Sequence, residues 1–206
     1  MALGIPSSTE STLILPTQPG WWSFSFDVLV SEILQVRNFN RSIYVFQTDQ
    51  AGERIPRFVL KTERNEMGDL QTFLSRCGDS GTPNEFFALI CWNSISHLIW
   101  LTRGDRAYAP DEIFPSQGSA GYSAYLNNKH MWTPPLPGTK NLWDLKRYDV
   151  PLAGTEPLMV GQLFNTNNGC TEFLYAKEWL GFDEGYAILG IIVINKWKNA
   201  RGTSAV

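Results

Sequence analysis

Ser80 lies in Arg76-Cys77-Gly78-Asp79-Ser80-Gly81-Thr82-Pro83, and a Gly-Asp-Ser-Gly run is one setting in which a serine hydroxyl acts as a nucleophile. The hydroxyl is weak at its own pKa and needs a histidine base held by a carboxylate. In hydrolases built on that run the histidine and aspartate precede the serine. The two histidines here, His97 and His130, both follow it, and Thr82 stands where the motif has a second glycine. The same letters contain Asp79-Ser80-Gly81, the setting of a catalytic aspartate. That chemistry requires a paired carboxylate, and the chain has no second Asp-Ser-Gly or Asp-Thr-Gly. The run reads as a Gly/Asp/Ser/Pro turn, and no catalytic residue is assigned.

Other reactive types are equally sparse. A metal site in a β-fold needs two or three histidines clustered with a carboxylate; His97 shares a strand face with Ile95, Ile99 and Leu101, and His130 reads as a loop residue. Cys77, Cys91 and Cys170 are odd in number, widely spaced and without a Cys-x-x-Cys pair, so neither a disulfide framework nor a zinc site is implied. No metal and no cofactor are expected. Arg103-Gly104-Asp105 has the composition of a receptor-binding tripeptide, but Gly-Asp is also ordinary turn chemistry, and the turn is the default. Of eight tryptophans, only Trp132 stands in an evident loop stretch, where an aromatic ring could stack on a sugar.

The elements that must position these residues are mainly strands. A length of 206 residues with 43% hydrophobic residues suits one domain with a sizeable core. The net charge of −3 leaves no basic footprint for nucleic acid. No apolar run reaches membrane-spanning length, and residues 1–20 lack the basic start of a signal peptide; with three reduced thiols this points to a soluble intracellular chain. Residues 1–20 are rich in Pro, Ser, Thr and Gly and read as an extended arm preceding a single domain over 21–206.

Strict alternation starts at Trp22, Phe24, Phe26, Val28 and Val30. Residues 42–48, 57–62, 85–92, 94–102, 141–152, 156–164, 171–179 and 185–197 continue the series of strands. One helix is expected over 65–78, because Leu70, Phe73, Leu74 and Cys77 fall at i, i+3, i+4 and i+7 behind Asn65 as N-cap. Residues 103–140 hold five prolines and little periodicity. The expected fold is all-β, an eight-stranded jelly-roll sandwich with one short helix. Its last strand is apolar on both sides, with Ile188, Ile192 and Ile194 on one and Leu189, Ile191 and Val193 on the other. One face of a sandwich strand normally meets water, so the outer side, with Ile191 and Val193, is expected to be covered by another chain or by the arm.

Four segments in order are similar to a known family. "GDLQTFLSRCG" resembles the short helix ending in Leu-x-x-Arg of a capsid protein of the picorna-like viruses. "FFALICWNSISHLIW" is similar to the family's aromatic-Trp-x-Gly-Ser strand entry, with Asn93 departing from its pattern. "YDVPLAGTEPLMV" resembles its Val-x-Val-Pro-Tyr segment, with Ala153 in place of the usual Tyr, and "FDEGYAILGIIV" resembles the acidic turn into its last strand. The short chain looks most like the small capsid proteins of plant secovirids. The resemblance implies a non-enzymatic subunit cut from a polyprotein. Such a subunit assembles with sister subunits into an icosahedral shell around a positive-strand RNA genome, favours the five-fold position, and resides in the virion and, during assembly, the host cytoplasm. Residues 1–36 contain no Lys or Arg, so RNA contact is expected to be weak or indirect, and Ile5, Leu13, Ile14 and Leu15 of the arm suit contacts with neighbouring chains. The alternative is a carbohydrate- or ligand-binding jelly-roll module that uses the 103–140 loops and Trp132.

Overall fold

The alternating segments become strands, and hairpin turns of Gly, Asn and Asp link most of them in chain order. A computed structural model describes residues 20–35, 40–49, 51–92, 97–102, 106–124, 127–149 and 157–202. Its strands are β1 (Trp21–Phe26), β2 (Ser42–Thr48), β3 (Arg54–Arg64), β4 (Leu70–Cys77), β5 (Pro83–Trp92), β6 (His97–Leu101), β7 (Ala107–Tyr108), β8 (Tyr122–Ala124), β9 (Asn127–Thr133), β10 (Asn141–Arg147), β11 (Leu158–Asn165) and β12 (Thr171–Ala176). Three helices accompany them: α1 (Pro110–Ile113), α2 (Lys177–Leu180) and α3 (Glu184–Gly202).

All twelve strands form one antiparallel sheet in the order β7-β6-β5-β4-β3-β2-β1-β12-β11-β10-β9-β8. The fold is therefore all-β in its main part. The strand order is a meander closed by the pairing of β1 with β12, not two four-stranded sheets joined by Greek-key crossings. The eight-stranded jelly roll is thus not the arrangement of the described strands. Short hairpin connections keep sequence neighbours adjacent in space, and here they leave no strand free to cross to a second sheet.

The sheet curls around α3. Gly185 in its first turn lies against the Phe87 ring of β5, and Gly190 lies against Trp132 of β9 and against Phe114. Strands from opposite ends of the sheet order therefore meet the same helix. The connection from β7 to β8 crosses the remaining gap and buries Ile113 and Phe114 completely. This enclosure explains the C-terminal segment, where the expected last strand is a helix. A helix that is apolar all round must be buried on all sides, and Ile188, Leu189, Ile191, Ile192, Val193 and Ile194 are all buried within this chain. The covering expected for Ile191 and Val193 is real, but it is the chain's own sheet.

The other expected helix also takes the opposite form. Residues 70–77 are β4, with Thr72 and Leu74 buried on one side and the partly exposed Phe73 on the other. Asn65 accepts hydrogen bonds from the backbone N–H groups of Met67 (3.0 Å) and Asp69 (2.8 Å) through its side-chain oxygen. It caps the β3–β4 hairpin turn, not a helix. The strand wins because β4 is flanked on both sides, by β3 and β5, along its whole length.

The inner surface carries an aromatic ladder. Phe24 stacks on Tyr175 at 5.1 Å between ring centroids, Tyr175 on Phe173 at 5.3 Å, and Phe173 meets Trp132 at 5.3 Å. Gly161 sits beside it because a Cβ there would lie 2.6 Å from the Phe173 ring.

Candidate functional site

The residues singled out for chemistry are dispersed by the fold. Ser80 lies in the exposed β4–β5 hairpin, its hydroxyl 2.8 Å from that of Thr82. The turn is closed by Gly78 N–H to Thr82 O (2.9 Å) and Gly81 N–H to Gly78 O (2.8 Å). His97 on β6 packs its ring against Trp92. His130 is not a loop residue: it is buried on β9 with its ring edge toward Phe182. Trp132, expected on a loop, is in β9 and only 1% exposed, so it cannot present a stacking surface. Residues 103–105 lie outside the described residues, as do residues 1–19. Among the described residues no group of three His, Cys, Asp or Glu side chains could hold a metal ion. No helix among them is long and apolar enough to cross a membrane.

Two polar clusters and one apolar surface remain. The first cluster surrounds the start of α3. Buried Gln47 donates from Nε2 to the Tyr175 hydroxyl (2.7 Å) and to Glu184 Oε1 (3.1 Å), while Tyr175 donates to Glu184 Oε1 at 2.5 Å. Arg57 Nε donates to Gln47 Oε1 at 2.9 Å, and Lys177 lies 3.5 Å from Glu184. Burial and the neighbouring Glu184 carboxylate push the Tyr175 phenol far above its ordinary range, so it stays a protonated donor. Arg76 pairs with Asp183 at 2.5 Å and stacks on the Phe58 and Phe87 rings. These groups satisfy one another and tie the first turn of α3 to β2, β3, β4 and β12. Their role is anchoring: the hydrogen bonds and ion pairs converge on Asp183 and Glu184 at the start of the helix.

The second cluster is outside, on β10. Asp144 is 4% exposed and accepts from Asn141 Nδ2 at 2.9 Å. Burial, partly offset by the Asn141 hydrogen bond, raises its carboxyl above the usual 3.8. The folded state then binds this proton more tightly than the unfolded chain, and stability falls as pH rises through that window. Asp144→Asn should therefore raise the melting temperature at pH 7. The gain should shrink toward zero below pH 3.8, as followed by circular dichroism across that range.

The apolar surface is the outer face of β3 to β6. In register across it run Lys61, Phe73, Leu89 and Trp100, and one step along run Gln71, Cys91 and Leu98. Trp100 is 44% exposed, Phe86 40% and Leu98 37%; other large exposed apolar side chains, such as Met67 and Leu136, sit apart in turns. Beside Phe73 a groove of about 280 Å³ opens, lined by Val59, Lys61, Phe73 and Ser75. Lys61 and Glu63 close one rim with a 2.6 Å ion pair. On β2, the Arg54 guanidinium lies 4.1 Å over the Phe46 ring and shields it. In the other half of the sheet the outward rows are mixed: Ser23, Leu174, Gln162, Asp144 and Thr133 run in register, and beside them Lys146 lies between Met131 and Met159. Scattered apolar residues on a surface need no explanation, but a contiguous group does.

Sequence reasoning missed this face because Phe73 falls on the apparent helix stripe and so is not joined to Leu98 and Trp100. The signal was present in His97-Leu98-Ile99-Trp100-Leu101, a strand apolar on both faces. No family model, no curated protein and no solved structure matches the chain.

Proposed function

We propose that this protein is a non-catalytic assembly subunit that docks on further copies of itself through the outer face of β3 to β6. The observation that carries the reading is the contiguity of the exposed Trp100, Leu98 and Phe86 with the groove beside Phe73. A net charge of only −3 lets copies approach without strong repulsion. A capsid subunit that packs with sister subunits around an RNA genome is the specific form suggested by the sequence resemblance. Of the segments that carry that resemblance, 86–100 spans most of β5 and of its partner β6. Segments 68–78 and 182–193 fold mainly as a strand and a helix, so the proposal rests on the face and not on a jelly roll. The lectin-like alternative loses Trp132 as a stacking ring, because that side chain is buried.

The test is substitution of the most exposed ring. Trp100→Asp places a charge on the outside, where it should change folding stability by no more than about 0.5–1 kcal/mol. In a docked face the same carboxylate would be desolvated without a partner, weakening association by at least about tenfold. Sedimentation velocity should show the wild type self-associating and the variant shifted to monomer at equal concentration. Equal masses for the two proteins would reject the reading.

A further inference from the structure

The connection between β9 and β10 carries the run Pro134-Pro135-Leu136-Pro137. A proline ring fixes its own φ at about −65°, and the residue before a proline is pushed out of the helical region into extended backbone. Thr133, Pro134 and Leu136 each precede a proline, so the residue types favour polyproline II through the run. The backbone agrees: residues 134–136 belong to no helix or strand, and no cis peptide bond occurs among the described residues.

Burial follows the same helix. Polyproline II repeats about every three residues, which puts Pro134 and Pro137 on one edge, Leu136 on a second and Pro135 on the third. Pro134, Leu136 and Pro137 are exposed, and Pro135 is half-buried. Two edges therefore face solvent while the third rests on the protein. Leu136 is 68% exposed, which leaves a large aliphatic side chain standing between two prolines.

Both ends of the run are fixed. Thr133 pairs with Asp144 in the β9–β10 ladder. Leu136 O accepts from the Thr139 N–H at 3.2 Å and from the Thr139 hydroxyl at 2.9 Å. Gly138 has φ +87°, so Leu136–Thr139 matches a type II turn, with proline and glycine at the two central positions that turn favours.

We propose that Pro134-Pro135-Leu136-Pro137 is a docking segment for a partner domain of the WW kind, which reads polyproline II in a short aromatic-lined groove. Such a groove gains affinity because its ligand helix is already formed. Here paired strands and a closed turn preset that helix, so little ordering entropy opposes binding. The turn at Gly138 ends the ligand after four residues, about 12 Å, which selects a short groove over one that tracks a longer ligand. Exposed Lys140 is the one charge in 133–140, so an acidic side chain beside the groove would complement it. β9 and β10 lie toward the opposite end of the sheet order from β3 to β6, and this docking does not depend on the self-docking face.

The experiment titrates the full-length protein over a panel of immobilised, purified WW domains and reads binding by interferometry. Saturable binding is expected, competed by a synthetic peptide of residues 133–140. Leu136→Ala and Pro137→Ala should each weaken it by about tenfold or more, as truncating a central anchor does. Both side chains are exposed, so circular dichroism should show the variants folded like the wild type. Should Pro137→Ala disturb the turn, Leu136→Ala carries the test, since it keeps every proline and Gly138 in place. Met67→Ala trims an even more exposed side chain in the β3–β4 turn and should bind like the wild type. Absence of binding across the panel, or binding that Leu136→Ala leaves unchanged, would overturn the proposal.

Discussion

Ile191→Asp should yield no stably folded protein. Ile191 is 1% exposed and Val193 is fully buried, both inside the curl of the sheet, on a helix whose residues 187–189 and 191–194 are all buried. An aspartate there is a carboxylate with no partner, and an unpaired buried charge typically costs about 3–5 kcal/mol. That is comparable to the whole stability of a marginal domain, about 5–15 kcal/mol. Thermal unfolding followed by circular dichroism should lose its cooperative transition, or the protein should be recovered only from the insoluble fraction. A folded variant that merely fails to associate would mean that residues 185–195 form an outward strand after all.

Among the described glycines, Gly121→Ala should be the most damaging change. Gly121 has φ +125°, and a Cβ there would lie 2.0 Å from the carbonyl oxygen of Trp132 and 3.1 Å from the Thr133 Cα. Both obstacles are backbone of β9, which is paired on both sides by β8 and β10 and cannot move aside without breaking pairs. The positive φ adds strain of about 1–3 kcal/mol, and the clash adds to it, so a loss of about 3 kcal/mol or more is expected. Gly118→Ala provides the comparison. Its φ is +65°, but nothing lies within 4 Å of the added methyl, so it should cost only about 1 kcal/mol. Urea unfolding of the two variants measures the difference directly. Equal losses would show that space at Gly121 is not limiting.

These expectations depend on segments whose conformation was only partly legible in the sequence. Residues 42–48 alternate with period two between clear turns, and β2 spans them to the residue. The alternation starting at Trp22 and the strand expected over 171–179 hold in part: β1 ends at Phe26, short of Val30, and β12 ends at Ala176, where Lys177–Leu180 turns helical. The reading failed where alternation vanishes. In 184–194 every position except Glu184 and the glycines is apolar or aromatic, and periodicity cannot separate a buried strand from a buried helix in such a run. Its length, and the Asp183 carboxylate that accepts the Gly185 N–H at 2.8 Å, were the available helix signals. In 70–77 the outward Phe73 added an apolar residue to the wrong stripe and imitated a helical spacing.

Partner choice in the sheet was not legible at all. Twelve strands can close as a meander around a helix or divide into two sheets with similar local patterns. The decision lies in long-range pairs such as β1 with β12, separated by some 150 residues. The inner polar cluster was invisible for the same reason, since Gln47, Tyr175 and Glu184 meet only after that pairing is made. The outer face was half visible: Leu98 and Trp100 could be placed on one side of a strand, but not beside Leu89 and Cys91 until the β5–β6 register was known.

The central claim is that the outer face of β3 to β6 is covered in the assembled protein, and Trp100 reports on it most directly. Hydroxyl-radical labelling, read by mass spectrometry over a dilution series, measures the accessibility of that ring alongside the exposed Met67 and Tyr148. The account predicts that Trp100 and Phe86 become protected as concentration rises, in step with the increase in mass, while Met67 and Tyr148 stay equally labelled throughout. Labelling of Trp100 that remains constant while the mass increases would contradict it.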